Sequence, residues 1–313
     1  MRKIRYPDKG STDYNVLLND YMALFPDIVT MQTAWDNWKI ANGADQVITE
    51  TVNEILVADS NLIANLYFRF IGLGIAKIIV NPTTGKNERS PEYKELDRIF
   101  HYTKGYDNDI AKFFEDRAEQ LHIVSCHYCE MAYVNVYTHN GTNKRHFDID
   151  HYLPKSECPI IGLSLFNFVP SCQVCNSRIK LHFTIGTTEA DWKKFNPASE
   201  TYDFDNNVRI RLRMKRIPSV KFTNKDDYYI HFRCKNGFRI PVDFFHLEER
   251  YDFHKIEAIR LLRLKTQYPI SAVRKIAGML GKTTSEVRED IFHRKYLKDN
   301  DRCFEKLTRD ILA

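Results

Sequence analysis

Cys126-His127-Tyr128-Cys129, His146-Phe147-Asp148-Ile149-Asp150-His151-Tyr152-Leu153-Pro154-Lys155-Ser156 and Leu165-Phe166-Asn167-Phe168-Val169-Pro170-Ser171-Cys172-Gln173-Val174-Cys175-Asn176-Ser177-Arg178-Ile179-Lys180 are the stretches on which the reading of this chain turns. Two Cys-x-x-Cys pairs, Cys126/Cys129 and Cys172/Cys175, supply the four thiolates that a tetrahedral zinc site takes, two from each knuckle. They stand 42 residues apart, more than a compact ribbon needs, so something is inserted between them. The insertion holds Asp148, Asp150 and His151. On an extended strand the two aspartates point to one face and the histidine to the other. A carboxylate beside an imidazole offers one metal ligand and one general base, the two things phosphodiester hydrolysis asks for. Taken alone, an Asp-His dipeptide is weak, because most such histidines are ordinary core or surface residues. Two buried thiol pairs without metal are the alternative reading of the cysteines.

Three zones follow outward from this centre. Residues 1–125 read as helical, with apolar spacing over Thr12–Phe25, Asp45–Ala58 and Asn108–Leu121, and with Ser90-Pro91 opening a helix to about Tyr102. Leu62–Val80 is long and apolar enough to raise a membrane span, but Arg69 and Lys77 interrupt it, so a helix buried on most sides is expected. Residues 126–183 have strand character, in Tyr133–Tyr137 and Phe147–Leu153, with Asn140-Gly141 as a turn. Residues 184–313 begin with a strand, Val208–Ile217, in which Val208, Ile210, Leu212 and Met214 alternate with Arg209, Arg211, Arg213 and Lys215. Helices follow over Glu248–Thr266, Ile270–Leu280 and Thr284–Phe292, with Gly281 as a stop. The expected class is α+β and mainly helical, a small central core flanked by helical regions.

The order of these parts resembles the HNH, or ββα-metal, endonucleases: a Cys-x-x-Cys, Asp150-His151 followed by Pro154, Asn167, then Cys172/Cys175, Asn176 and Lys180. The Asp-x-Asp-His-x-x-Pro phrase is also similar to the HNH domain of the RNA-guided CRISPR nuclease. The likeness covers about 55 residues. It implies that Asp150 and Asn176 hold a catalytic Mg²⁺ or Mn²⁺. It implies too that His151 deprotonates the attacking water, and that Asn167 braces the metal loop and orients the histidine. The four cysteines would carry a separate, structural Zn²⁺. Asp148 reads as a solvated strand-end carboxylate or a helper of the metal site; His146 and His182 are weaker helpers. One departure stands out: many members place a lysine three residues after the asparagine or a histidine four after it, whereas here the fourth position is Lys180. Lysine is a poor ligand, so water or substrate phosphate would complete the coordination, and Arg178 or Lys180 would contact phosphate. Tyr152, Pro154-Lys155-Ser156, Asn196-Pro197 and the C-terminal Lys306–Asp310 more loosely resemble HNH subunits of bacterial anti-phage defence operons, of the Septu and retron-associated kinds. These imply an ATPase or another operon protein as partner.

Charge would draw a polyanion to the later part of the chain rather than to its start, by a modest excess that many ordinary proteins match. Residues 1–125 carry 14 Lys+Arg against 18 Asp+Glu, and residues 126–313 carry 32 against 23, so the excess of +5 is concentrated after the first zone. Arg209, Arg211, Arg213 and Lys215 would track a nucleic-acid backbone, DNA first, or else protect a sheet edge by charge. The acidic first zone is either a docking surface or a solvated helical face. With a polar N-terminus and no apolar leader the expected location is cytoplasmic, where paired cysteines bind metal rather than each other. Two rivals to the nuclease reading remain: a zinc-knuckle module that binds nucleic acid without cutting, and an RNA-cleaving, toxin-like effector.

Overall fold

The structure is a computed structural model and describes residues 1–215, 224–292 and 303–312. It is a mixed α+β fold, mainly helical. Two compact units emerge: Lys3–Ile123 with Val134–Tyr202, and Met1–Arg2 with Val124–Tyr133 and Asp203–Ala313. These units cut across the three zones of the sequence, because the N-terminal helices pack onto the segment that holds Asp150 and His151 instead of forming a body of their own.

In the larger unit the helices are α1 (Thr12–Met22), α2 (Ile28–Ala41), α3 (Val52–Leu56), α4 (Ser60–Gly72), α5 (Pro91–Ile99), α6 (Asp107–Asp116) and α7 (Glu189–Phe195). The strands form three antiparallel pairs: β1 (Ile78–Val80) with β2 (Asn87–Arg89), β3 (Val136–His139) with β4 (Thr142–Arg145), and β5 (Asp148–His151) with β6 (Phe168–Ser171). Local signals set several of these boundaries. Ser90 caps α5 by accepting the Tyr93 N–H, with Pro91 in the first turn. Asn140 and Gly141 both have positive φ, 50° and 73°, the paired left-handed geometry of a two-residue hairpin turn. Two helix readings need correction. The helix expected over Asp45–Ala58 shrinks to α3, because Thr51 and Glu54 form a capping box that starts it at Val52. The single buried helix expected over Leu62–Val80 is α4 followed by β1. No helix among the described residues is long and apolar enough to cross a membrane.

The core of this unit is aromatic. Trp35 and Trp38 stack at 5.4 Å, and their indole N–H groups donate to the carbonyls of Glu50 and Glu92. Two further bonds tie this helical layer to the segment between β5 and β6. The Tyr21 hydroxyl donates to the Leu163 carbonyl at 2.6 Å, and the Ser164 hydroxyl donates to the Ile55 carbonyl at 2.7 Å. Phe114 of α6 packs edge-on against Phe168 of β6.

The smaller unit contains α8 (Phe204–Asn207), a ribbon of β7 (Val208–Met214) and β8 (Tyr228–Cys234), and α9 (Arg239–Phe244), α10 (Leu247–Phe253), α11 (Lys255–Gln267), α12 (Ile270–Leu280), α13 (Thr284–Phe292) and α14 (Glu305–Leu312). The helix expected over Glu248–Thr266 breaks at His254 into α10 and α11. Gly281, at φ 62°, ends α12 as expected. Arg216 and Ile217, the last residues of the expected basic strand, lie outside the described residues.

Candidate active site and metal centre

The first knuckle is built from backbone and sulfur together. Cys126 N–H donates to the Ala132 carbonyl and Glu130 N–H to the Cys126 carbonyl. Glu130 then adopts a left-handed φ of 61°, and Met131 N–H donates to the Cys129 sulfur at 3.4 Å. An amide aimed at a sulfur stabilises the thiolate form. In the second pair, Asn176 N–H donates to the Cys172 carbonyl at 3.0 Å as the chain enters a π-helix over Val174–Lys180. The Sγ atoms of Cys126, Cys129, Cys172 and Cys175 lie within 4.8 Å of one another, and three of the four residues are buried. Tetrahedral zinc at about 2.3 Å from each sulfur places the sulfurs about 3.8 Å apart, so the donor set fits that ion. None of the seven cysteines forms a disulfide. This four-cysteine cluster is a metal-binding centre.

Between the pairs, β5 and β6 run antiparallel with Asp148 opposite Ser171, Asp150 opposite Val169 and His151 opposite Phe168. The strand period separates the side chains as expected, both aspartates on the face toward the π-helix. There the partners are specific. Asn176 donates its amide N–H to Asp148 Oδ2 at 3.1 Å, and the Lys180 ammonium lies 3.1 Å from Oδ2 of Asp150 and 3.4 Å from its Oδ1. The last turn is closed from Leu181 N–H to the Asn176 carbonyl, a span of five residues. This wider winding lets Asn176 and Lys180, four apart, meet Asp148 and Asp150, two apart on the strand.

Two expectations change here. Lys180 was placed on the nucleic-acid face, but its side chain is fully buried, held by Asp150 and by the His151 carbonyl at 2.6 Å. Asp148, read first as a solvated carboxylate, is half-buried and accepts the side-chain N–H of Asn176. Arg178 is exposed, as are Arg209, Arg211, Arg213 and Lys215.

His151 is 9% exposed and packed by the rings of Tyr102 at 4.6 Å and Phe168 at 4.9 Å. Its Nε2 lies 2.9 Å from the Gly162 carbonyl. A carbonyl can only accept, so Nε2 carries the proton and Nδ1 keeps the lone pair. Burial drives the imidazole pKa well below its ordinary value, and the charges of Lys155 and Lys180 push the same way against the Gly162 bond. The ring is therefore neutral, with its proton on Nε2 and Nδ1 unprotonated.

Asn167 is fully buried and works one residue away from that carbonyl. Its Oδ1 accepts the Leu153 N–H at 2.8 Å, and its Nδ2 donates to the carbonyls of Leu153 and Ile161 at 3.0 and 3.1 Å. It staples the start of the β5–β6 connection to the residue before Gly162. Asn196 adds a second staple, donating to the Phe166 carbonyl. The sequence carried no sign of Gly162 or Tyr102 as neighbours of the histidine. The i, i+2 spacing of Asp148 and Asp150 could have marked the former as the partner of the helix asparagine.

No protein-family model, no curated protein and no solved structure matches the chain.

Proposed function

We propose that the chain is an HNH-type endonuclease that hydrolyses phosphodiester bonds in DNA, with the four-cysteine centre holding structural zinc. The observation that carries the reading is the state of His151: neutral, with Nε2–H committed to Gly162, on a strand next to Asp150 and followed by a second strand and a helix. In this reading Nδ1 of His151 takes the proton from water as it attacks phosphorus. Asn167 and Gly162 keep the ring in the required tautomer. Asp150 and Asn176 are the residues that would hold Mg²⁺ or Mn²⁺. Because Asn176 spends its N–H on Asp148, its Oδ1 is the atom left to offer, and oxygen donors of this kind suit those ions. When bound, the ion would stabilise negative charge on the scissile phosphate and leaving oxygen. Arg178 is exposed on the π-helix and is assigned to phosphate. A defence-operon ATPase as partner and an antiviral role follow from the looser resemblance at Tyr152, Pro154-Lys155-Ser156, Asn196-Pro197 and Lys306–Asp310.

A second reading has its own observation. The Asp150 carboxylate already has a buried cation, Lys180, and the four thiolates form a metal centre without it. A zinc-knuckle module that binds nucleic acid without cutting needs no more than that. Supercoiled plasmid, incubated with Mg²⁺ and with either wild type or His151→Ala, separates the two. The nuclease reading expects nicking by wild type and a loss of at least 100-fold in the variant, with zinc content unchanged. Wild type that binds nucleic acid but cuts neither DNA nor RNA leaves the binding module.

A further inference from the structure

The ribbon of β7 and β8 has one apolar and one basic face. Register places Arg209 opposite Arg233, Arg211 opposite His231 and Arg213 opposite Tyr229. Residues directly opposite on antiparallel strands share a face. The other face holds Val208, Ile210, Ile230 and Phe232, all buried. The basic face is thus contributed by both strands, not by β7 alone.

Folding alone does not explain this arrangement. Like charges directly opposite one another weaken a ladder, yet Arg209 meets Arg233. Two of the nearby acids are already engaged: Asp310 with Arg209 at 3.0 Å, and Glu248 with His231 at 2.6 Å and with Arg239. Arg211, Arg213 and Arg233 are exposed and have no ion pair among the described residues. Charge for edge protection need not lie on one face or be opposed across the ladder, and lysine serves it as well. All three bases on β7 are arginine, whose planar fork matches phosphate oxygens. Alternate residues on a strand recur about every 6.7 Å, and a two-stranded ribbon is narrow enough for the DNA major groove, about 12 Å wide.

We infer that the exposed face of the β7–β8 ribbon is a binding surface for double-stranded DNA, with Arg211, Arg213 and Arg233 on phosphates and Tyr229 and His231 between them. Lys215 sits at the end of the face, where its N–H donates to the Asp227 carbonyl, and has the lesser role. The surface does not depend on the site at His151 being catalytic.

The test uses the full chain carrying His151→Ala, without Mg²⁺, and a fluorescent DNA duplex of about 25 base pairs, a length chosen to cover two helical turns. Binding is followed by anisotropy from 50 to 200 mM salt. Each phosphate contact contributes about 0.9 to the slope of log K against log salt, so Arg211→Gln/Arg213→Gln/Arg233→Gln lowers the slope by about 2.7. Its Kd at 100 mM salt rises at least tenfold, with unchanged circular dichroism and zinc content. An unchanged slope in the triple variant overturns the surface. So does tighter binding of single-stranded RNA than of duplex DNA, or no binding of any duplex by the parent chain. If wild type fails to nick DNA while the salt slope behaves as stated, the nuclease reading falls and this surface stands.

Discussion

Replacing Lys180 with methionine removes the ammonium from beside Asp150 while keeping most of the side-chain volume. The two residues are 0% and 5% exposed and their charged atoms lie 3.1 Å apart. Breaking a buried ion pair from one side leaves the other charge stranded, at a cost of about 3–5 kcal/mol. That lowers the folding equilibrium constant by a factor of about 150 to about 5,000. The lost hydrogen bond to the His151 carbonyl is part of the same figure. Trp35, Trp38 and Trp192, the three tryptophans of the chain, all lie in the unit that holds the site, so urea unfolding followed by their fluorescence reports this loss directly. Adding Asp150→Asn to the variant removes the stranded charge and recovers about 2 kcal/mol of it. If Asp150 holds a divalent ion, Mg²⁺ at tenfold over its Kd restores about 1.4 kcal/mol to Lys180→Met. A cost below about 1 kcal/mol, typical of a surface lysine, unaffected by Asp150→Asn, would show that the pair is not buried as described and refute this reasoning.

Asn167→Ala leaves the Leu153 N–H and carbonyl unsatisfied in the interior and leaves the Ile161 carbonyl only its bond from the Ser164 N–H; it is expected to cost about 3 kcal/mol, read by the same unfolding curves. Cys172→Ser is expected to take the zinc content of the purified chain from one ion toward none, measured by native mass spectrometry. Lys155 is half-buried over the Tyr102 ring at 3.8 Å, and burial lowers its pKa to about 8 against the opposing charges of Asp107 and Asp97. Its amine is thus half neutral near pH 8, where an ordinary lysine is almost wholly charged. An amine-reactive label at limiting dose is expected to mark Lys155 ahead of exposed lysines, with a rise centred near pH 8; labelling that rises only toward pH 10 contradicts this.

How much of this was written in the sequence can be judged residue by residue. The two Cys-x-x-Cys pairs were legible because thiolate pairs have few other uses in a chain without disulfides, and their four sulfurs do converge. The β7 alternation was legible because a period of two needs no knowledge of the partner strand; β8, with less regular polarity, supplied the opposing Arg233 and His231 only once the register was known. Lys180 was misplaced for an identifiable reason. Counted on an ordinary helix from Asn176, its charge looked available to a ligand, but the five-residue closure at Leu181 turns it onto Asp150. Nothing in the local text announces a π-turn. Gly162 and Tyr102 reach His151 through the fold, and a single sequence carries no trace of such long-range neighbours. The helix from Ile28 to Ala41 went unread because its apolar residues surround Trp35 and Trp38 without one clean stripe.

The proposed function requires a second metal site, made of oxygen donors, beside the four-cysteine centre. Crystals grown with zinc and soaked in Mn²⁺, with anomalous scattering recorded at both absorption edges, test it most directly. The account predicts a zinc peak among Cys126, Cys129, Cys172 and Cys175, and a manganese peak bounded by Asp150 and Asn176 with Lys180 moved off the carboxylate or sharing it. A zinc peak alone, with the Lys180 ammonium still seated on Asp150 at saturating Mn²⁺, would contradict it.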